Sequence, residues 1–460
     1  MVGSLPNPPD GKITYMTSLV SLSEIQDAAN ELTGVIRRTP MEPARDPRLP
    51  RDTVFLKCEN LQRAGSFKIR GAYLRISRLP HEDRKKGVVA ASAGNHAQGV
   101  ALAAKMLGIT STVFMPKAAP LPKLAATKDY GADVILGGDT VDDALESANK
   151  FAAETGATLI HPFDHLDVVR GQGTVALEIL DQCPKAATVV VSIGGGGLAA
   201  GVAAAAKAIR PDVRVIGVQA ADAAAYPPSL KAGKPIKLQK MQTIADGIAV
   251  GLPGDITFPH IRDLIDEVVT VTEEDITRAL LSLQERNKLI AEPAGGTAYA
   301  ALLTGQVPVD GPTVAILSGG NIDPLLQVRL IGHGLALSGR YLRCNLRCAD
   351  KPGTLASVLN LLAERGGNIV DVTHQRTDPR LHIGEVSIDL SVETRGDDHA
   401  AHLVAAMRDA GFSVTVNGPT GRGLPLACSK ATLCVPVGSP MTIGFTSCDL
   451  GRGILSTPSN

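Results

Sequence analysis

Gly65-Ser66-Phe67-Lys68-Ile69-Arg70-Gly71-Ala72 sets a single amine where a strand-like stretch gives way to a helical one. Upstream, Thr53-Val54-Phe55-Leu56-Lys57 alternates apolar and polar residues. Residues 67–76 have helical spacing that buries Ile69, Tyr73 and Ile76. Lys68 therefore falls in a first helical turn, where the positive end of the helix dipole disfavours a cation. If the amine is also desolvated it becomes the neutral nucleophile that Schiff-base chemistry needs. A lone lysine is ordinarily a solvated one, so the reading depends on partners elsewhere in the chain.

Outward from this stretch, short apolar runs at 87–91, 112–115, 132–136, 188–192, 213–218 and 313–317 are each followed by a helix-like segment. Near-continuous apolarity implies strands buried on both faces, hence parallel sheets covered by helices. The alternation starts with a helix at 23–32, with Ser23 and Gln26 in capping-box spacing. It ends near residue 331. Gly332-His333-Gly334 opens a connection over 332–340. The pattern then becomes β-α-β-β-α-β across 341–417, the order of a small ferredoxin-like domain. An α/β region in two subdomains (21–331) is thus expected to precede that domain. Residues 1–20, with Pro6, Pro8 and Pro9, read as a disordered arm, and 418–460 as a disordered or weakly attached tail with a stray strand at 432–437.

Composition narrows the function classes. Among 460 residues, 46 basic ones balance 46 acidic ones, aromatics are 3% and Trp is absent, so neither a basic field nor a stacking platform for nucleic acid exists. The seven cysteines (Cys58, Cys183, Cys344, Cys348, Cys428, Cys434, Cys448) form no C-x-x-C pair, so neither a zinc site nor a disulfide framework follows. Cys344 and Cys348 would share one face of a strand, a packing arrangement. No signal peptide and no apolar run long enough for a bilayer is evident, which makes the cytoplasm the expected compartment.

Three further loops carry chemistry. Ser92-Ala93-Gly94-Asn95-His96 follows the 87–91 run and precedes a helix, where it is either a ligand-facing loop at a sheet's carboxyl end or a plain helix cap. Gly194-Gly195-Gly196-Gly197-Leu198 lets consecutive N–H groups converge on an anion at a helix start, so it reads as a phosphate cradle, with a structural glycine turn as the alternative. It matches neither the dinucleotide fingerprint nor the P-loop. Ser318-Gly319-Gly320-Asn321 offers either a neutral hydroxyl for a ring nitrogen or a tight turn. An aldehyde cofactor with a ring nitrogen and a phosphate uses the amine and all three loops.

Together these four motifs resemble the threonine ammonia-lyase (threonine dehydratase) branch of the fold-type II pyridoxal-phosphate enzymes, over about residues 21–331. The resemblance implies a two-subdomain, tryptophan synthase β-like fold with pyridoxal 5′-phosphate as cofactor. It implies that Lys68 holds the cofactor covalently and is the catalytic base, Phe67 packs on the ring, and Asn95 bonds the ring hydroxyl. Gly194, Gly195, Gly196, Gly197 and Leu198 then bind the phosphate, Ser318 faces the ring nitrogen, and Ser92, Asn95 and His96 hold the substrate carboxylate. The implied activity is β-elimination from L-threonine, and from L-serine, with a role in isoleucine biosynthesis or threonine catabolism. A serine dehydratase or racemase of the same fold, or a silent amino-acid sensor, is the alternative.

Two departures refine this. Related serine racemases resemble the chain but carry serine where Ala93 stands, which disfavours racemisation. They also bind a divalent cation after the strand ending at Val218, whereas Gln219-Ala220-Ala221-Asp222-Ala223-Ala224-Ala225 lacks the matching carboxylates, so no metal is expected there. His161 and His165, with Asp164 and Asp167 nearby, have i, i+4 spacing, but Pro162 argues against a continuous helix and so against metal binding. Glu292 opens a helix, and a matching glutamate of the family lies near the active site. Residues 341–416, with Asp350-Lys351-Pro352-Gly353 and Gly366-Gly367-Asn368-Ile369, resemble an ACT domain, which implies an amino-acid or nucleotide effector near Asp350, Gly353, Asn368 and Ile369, or else pure dimerisation. The relatives are commonly dimers or tetramers.

Overall fold

The computed structural model describes residues 19–377 and 381–417. The expected arm up to residue 18 and the tail from 418, including the strand at 432–437, lie outside the described residues.

A six-stranded sheet runs in the order Met41–Pro43, Val54–Lys57, Thr313–Ile316, Thr188–Ser192, Arg214–Ala220, Glu267–Val271. Its pairings are parallel except that of Met41–Pro43 with Val54–Lys57. The central Thr188–Ser192 strand is buried at every position, as its Thr-Val-Val-Val-Ser sequence requires for a sheet covered on both faces. A second, parallel sheet orders Asp133–Leu136, Ser111–Met115, Val88–Ala91 and Thr158–Leu159.

Three expectations are corrected. Asp133–Leu136 is an edge strand with Ile135 and Leu136 exposed, not a strand buried on both faces. Its outer flank has no partner strand, so apolar composition alone overstated its burial. The first helix, Leu22–Glu31, is capped by Ser21 and Glu24, whose carboxylate accepts from the Ser21 N–H at 2.8 Å, and not by Ser23 and Gln26. The helix Pro324–Leu337 runs straight through Gly332-His333-Gly334, so the connection shrinks to Ser338, Gly339 and Arg340. A Cβ on Gly334 would lie 3.1 Å from Leu281 Cδ2, so this glycine serves close helix packing rather than a break.

The C-terminal domain follows the expected β-α-β-β-α-β order, with sheet order Asn368–Gln375, Glu385–Glu393, Tyr341–Ala349, Ser413–Val416, all antiparallel neighbours. Its core joins Leu342, Cys344 and Leu346 to Ile388, Leu403 and Met407. Cys344 is buried and Cys348 half-buried, which fits packing.

The carboxyl ends of the parallel strands bring the motif loops together. The Lys68 loop is stitched to the Ser318 loop by three backbone bonds: Asn60 N–H to Leu317 O (2.9 Å), Phe67 N–H to Ser318 O (3.2 Å) and Gly320 N–H to Gly65 O (2.9 Å).

Candidate active site

Lys68 is the first residue of the helix Lys68–Ser77, and its Nζ donates to Pro162 O at 3.0 Å. Burial lowers its amine from 10.5 to about 8, although the Glu292 charge acts in the opposite sense. About half of the amine is thus neutral and nucleophilic at pH 8, and more of it as the pH rises. Phe67 precedes it, with its ring centroid 5.2 Å from Nζ.

The first turn of Asn95–Leu107 lies opposite. The Asn95 amide is committed at both ends: Nδ2 donates to Glu292 Oε1, and Oδ1 accepts from Asn321 Nδ2 at 2.8 Å. The His96 ring is held internally. Its Nε2 lies 2.7 Å from Ile160 O, it is 5% exposed, and burial with the nearby Lys68 charge pushes it down to about 3, so it is a neutral internal strut. Ser92 Oγ accepts from Gly94 N–H at 3.1 Å and keeps its own hydrogen for another partner. For a carboxylate, the chain therefore offers the Ser92 hydroxyl and the N–H groups of Asn95, His96 and Ala97, which the helix leaves without an internal acceptor.

Glu292, whose Oε1 accepts from Asn95, is buried beside the Lys68 amine. It is 2% exposed, and burial reinforced by the Asp246 charge lifts its carboxyl to about 7. Lys123 faces the same cleft and pairs with Asp246 at 2.6 Å. The raised carboxyl has a consequence for stability. A folded-state value of about 7 against an ordinary 4.5 means the folded chain binds the extra proton between these values, so this contribution is lost as pH rises through about 7. Glu292→Gln is expected to stabilise the protein by something on the order of 1–3 kcal/mol at pH 8, and by less at pH 6, while lowering activity. Denaturant midpoints at the two pH values check the sign.

The glycine cradle is closed from below by a loop that the motif reading had weighed only as a metal site. A Cβ on Gly195 would lie 2.3 Å from the Phe163 ring, one on Gly196 (φ +102) 2.2 Å from Tyr226 Oη, and one on Gly194 2.9 Å from Ile248 Cα. A Cβ on Gly197 would lie 3.0 Å from Phe163 Cα, and Leu198 is buried in the first turn of Gly197–Ile209. Among the described residues, the N–H groups of Gly195, Gly196, Gly197 and Leu198 donate to no backbone carbonyl. His161 Nδ1 accepts from Asp164 N–H (2.7 Å), Asp164 accepts from the N–H groups of Asp255, Ile256 and Thr257, and His165 caps Leu166–Gln182. These residues therefore build the loop. No group of three or more His, Cys, Asp or Glu suited to a metal occurs among the described residues. Ser318 is buried, accepting from Ser192 Oγ at 3.3 Å and donating to Ala294 O at 3.4 Å.

Beneath the helix of Lys68 sits a buried ion cluster. Arg70 donates to both oxygens of Glu59 (2.8 and 2.7 Å) and to Glu178 (2.7 Å), and Lys57 donates to the other Glu178 oxygen at 2.6 Å.

The effector candidates do not form one site within the domain. Asp350 is held by Arg376 (2.8 Å), and Gly353 (φ +91) caps the start of Thr354–Glu364. Asn368, bonded to Glu393 at 3.1 Å, and the half-buried Ile369 follow that helix, one helix length or about 16 Å away.

The residues present fit pyridoxal phosphate: a neutral amine for the aldehyde, orphaned N–H groups at the start of a 13-residue helix for the phosphate, and an uncharged hydroxyl for the ring nitrogen.

Comparison with known proteins agrees. Residues 32–319 match the family model "Pyridoxal-phosphate dependent enzyme", and residues 343–412 match the ACT domain. The chain is 44% identical over 404 residues to an L-threonine ammonia-lyase of Thermotoga maritima, covering 87% of this chain and 100% of that protein. Among solved structures it resembles maize serine racemase (TM-score 0.63, 37% identity, 68% of this chain and 97% of that one). It equally resembles threonine deaminase isoform 2 of Solanum lycopersicum (TM-score 0.63, 36% identity, 71% and 98%). With the amine, the cradle and the hydroxyl in one cleft, the chain belongs to the family of pyridoxal-phosphate dependent enzymes and carries a C-terminal ACT domain.

Proposed function

We propose that the chain is a threonine ammonia-lyase, converting L-threonine to 2-oxobutanoate and ammonia, and L-serine to pyruvate and ammonia. The observation that carries the reading is the desolvated Lys68 amine, bonded to Pro162 O beside the Phe163 ring under the glycine cradle and packed against the helix that starts at Asn95. The likeness to L-threonine ammonia-lyases along most of the chain supports the choice of reaction.

When bound, pyridoxal phosphate supplies an electron sink for the charge left at the α-carbon. Lys68 Nζ, neutral at its lowered value, accepts the α-proton, and Pro162 O keeps the amine in place. The Ser92 hydroxyl and the N–H groups of Asn95, His96 and Ala97 hold the substrate carboxylate. Ser318, whose hydroxyl donates to Ala294 O only at a long 3.4 Å, would turn that hydrogen to the ring nitrogen once the cofactor is bound, and a donor without a charge moderates the sink and favours loss of the β-hydroxyl over reprotonation. Racemisation needs a second acid/base on the opposite face, and Ala93 carries none.

The ACT domain is proposed to bind an amino-acid or nucleotide effector at its Asp350 and Gly353 end, next to Arg376. Among the described residues no helix is long and apolar enough to cross a membrane, and Cys58, Cys183, Cys344 and Cys348 are free thiols. A cytoplasmic homo-dimer or homo-tetramer is the proposed state of the protein.

The test is turnover by the purified holoenzyme. Threonine is expected to yield 2-oxobutanoate, and isoleucine to depress the rate if the role is biosynthetic. Serine inversion without any oxo acid would overturn the lyase reading.

A further inference from the structure

We propose that Asn321 is a positioning residue: its carboxamide sets the sense of the Asn95 amide, so that Asn95 presents N–H rather than C=O to the cofactor ring. The inference rests on the pyridoxal-phosphate reading of the cleft.

The sense of the hydrogen-bond chain is anchored at Ala64. A backbone carbonyl only accepts, so the Asn321 atom 2.8 Å from Ala64 O is the donor Nδ2. The second hydrogen on that nitrogen goes to Asn95 Oδ1, also at 2.8 Å, and Gln98 Oε1 stands further off at 3.3 Å. With its oxygen engaged, Asn95 turns Nδ2 toward Glu292 Oε1, which accepts one of its hydrogens, and the other is left for a ligand. Flipping Asn95 would face NH₂ against NH₂ at the Asn321 end, whereas the Glu292 carboxyl, which accepts when ionised and can donate when protonated, does not by itself fix the sense.

Asn321 is itself held in place. A Cβ on Gly65 (φ +68) would lie 2.2 Å from Asn321 Oδ1, so the missing side chain is the recess that this oxygen fills. Ala64 beside it has φ 56, a left-handed conformation that costs free energy for a residue with a Cβ, and its carbonyl is the one bonded by Asn321. Asn321 thus joins the loop before Lys68, the first turn of Asn95–Leu107 and the loop after Thr313–Ile316. Through Asn95 it decides whether a ring oxygen meets a donor, which favours the ionised oxygen, or an acceptor, which favours the protonated one.

The test compares Asn321→Asp and Asn321→Ala holoenzymes with the parent. In Asn321→Asp an acceptor replaces the donor and turns Asn95 over. At equal cofactor stoichiometry and melting temperature, its visible band should move to shorter wavelength. Its kcat should fall about ten- to a hundredfold, the scale of a lost orienting partner, with a smaller change in KM. Asn321→Ala removes the lock without reversing it and should lie between. A parental spectrum and kcat in Asn321→Asp would overturn the proposal, as would equal losses in both variants that track melting temperature alone. A parent protein that takes up no cofactor would instead overturn the reading of the cleft, and the inference with it.

Discussion

Lys68→Ala is expected to give a folded, colourless protein whose threonine turnover is reduced by something on the order of 10⁴-fold or more. The size follows from two losses at one atom: the amine that holds the cofactor and the base that takes the α-proton. Fold and activity should separate in this variant. The Lys68 amine is desolvated, with Pro162 O as its hydrogen-bond acceptor, so the alanine removes an amine whose charged form burial already disfavours. The denaturant midpoint should therefore hold or rise. Gel filtration with excess pyridoxal phosphate, followed by a visible spectrum, checks the colour, and 2-oxobutanoate release checks the rate. A yellow Lys68→Ala protein that resists borohydride reduction yet turns over threonine would remove Lys68 from the chemistry.

Arg70, two residues along the same helix, should behave in the opposite way, with the damage falling on the fold. Its guanidinium is fully buried, paired with both oxygens of Glu59 and with Glu178, and Lys57 shares Glu178. Two cations and two carboxylates leave the cluster neutral. Arg70→Met leaves an uncompensated buried carboxylate, a loss that typically costs about 3–5 kcal/mol. Against a total stability of about 5–15 kcal/mol this is enough to cut soluble yield sharply. Glu59→Gln combined with Arg70→Met removes the stranded charge and should recover part of the midpoint. If the single and double variants unfold at the same denaturant concentration, the charge balance is not what stabilises this cluster.

The motif loops were legible because each is a local event. A short apolar run followed by small residues and a helix start announces a loop at the carboxyl end of a buried strand, and this holds for the loops of Lys68, Asn95, Gly194 and Ser318. The loop at 161–164 also follows a parallel strand but carries no such signal. Its strand, Thr158–Leu159, has two residues, too few for a periodicity to register. It was weighed only as a metal site, although it supplies the acceptor for Lys68 and the ring beneath Gly195. His96 divides its roles: only the fold shows its Nε2 spent on Ile160 O, which leaves its backbone N–H at the helix start for a ligand.

What the sequence determined by itself was the order of elements, the two-part α/β region, the ferredoxin-like domain, and the loops at the strand ends, because period and strand-end composition are properties of neighbouring residues. What the tertiary structure decided was every interaction whose partners are far apart in the chain: Asn95 with Glu292, Asn321 with Ala64, Arg70 with Glu178. The pairs set the sense of an amide and balance a buried charge cluster, while burial raises the Glu292 carboxyl to about 7 and lowers the Lys68 amine. Each depends on burial and on the distance between charges, which exist only once the chain has folded.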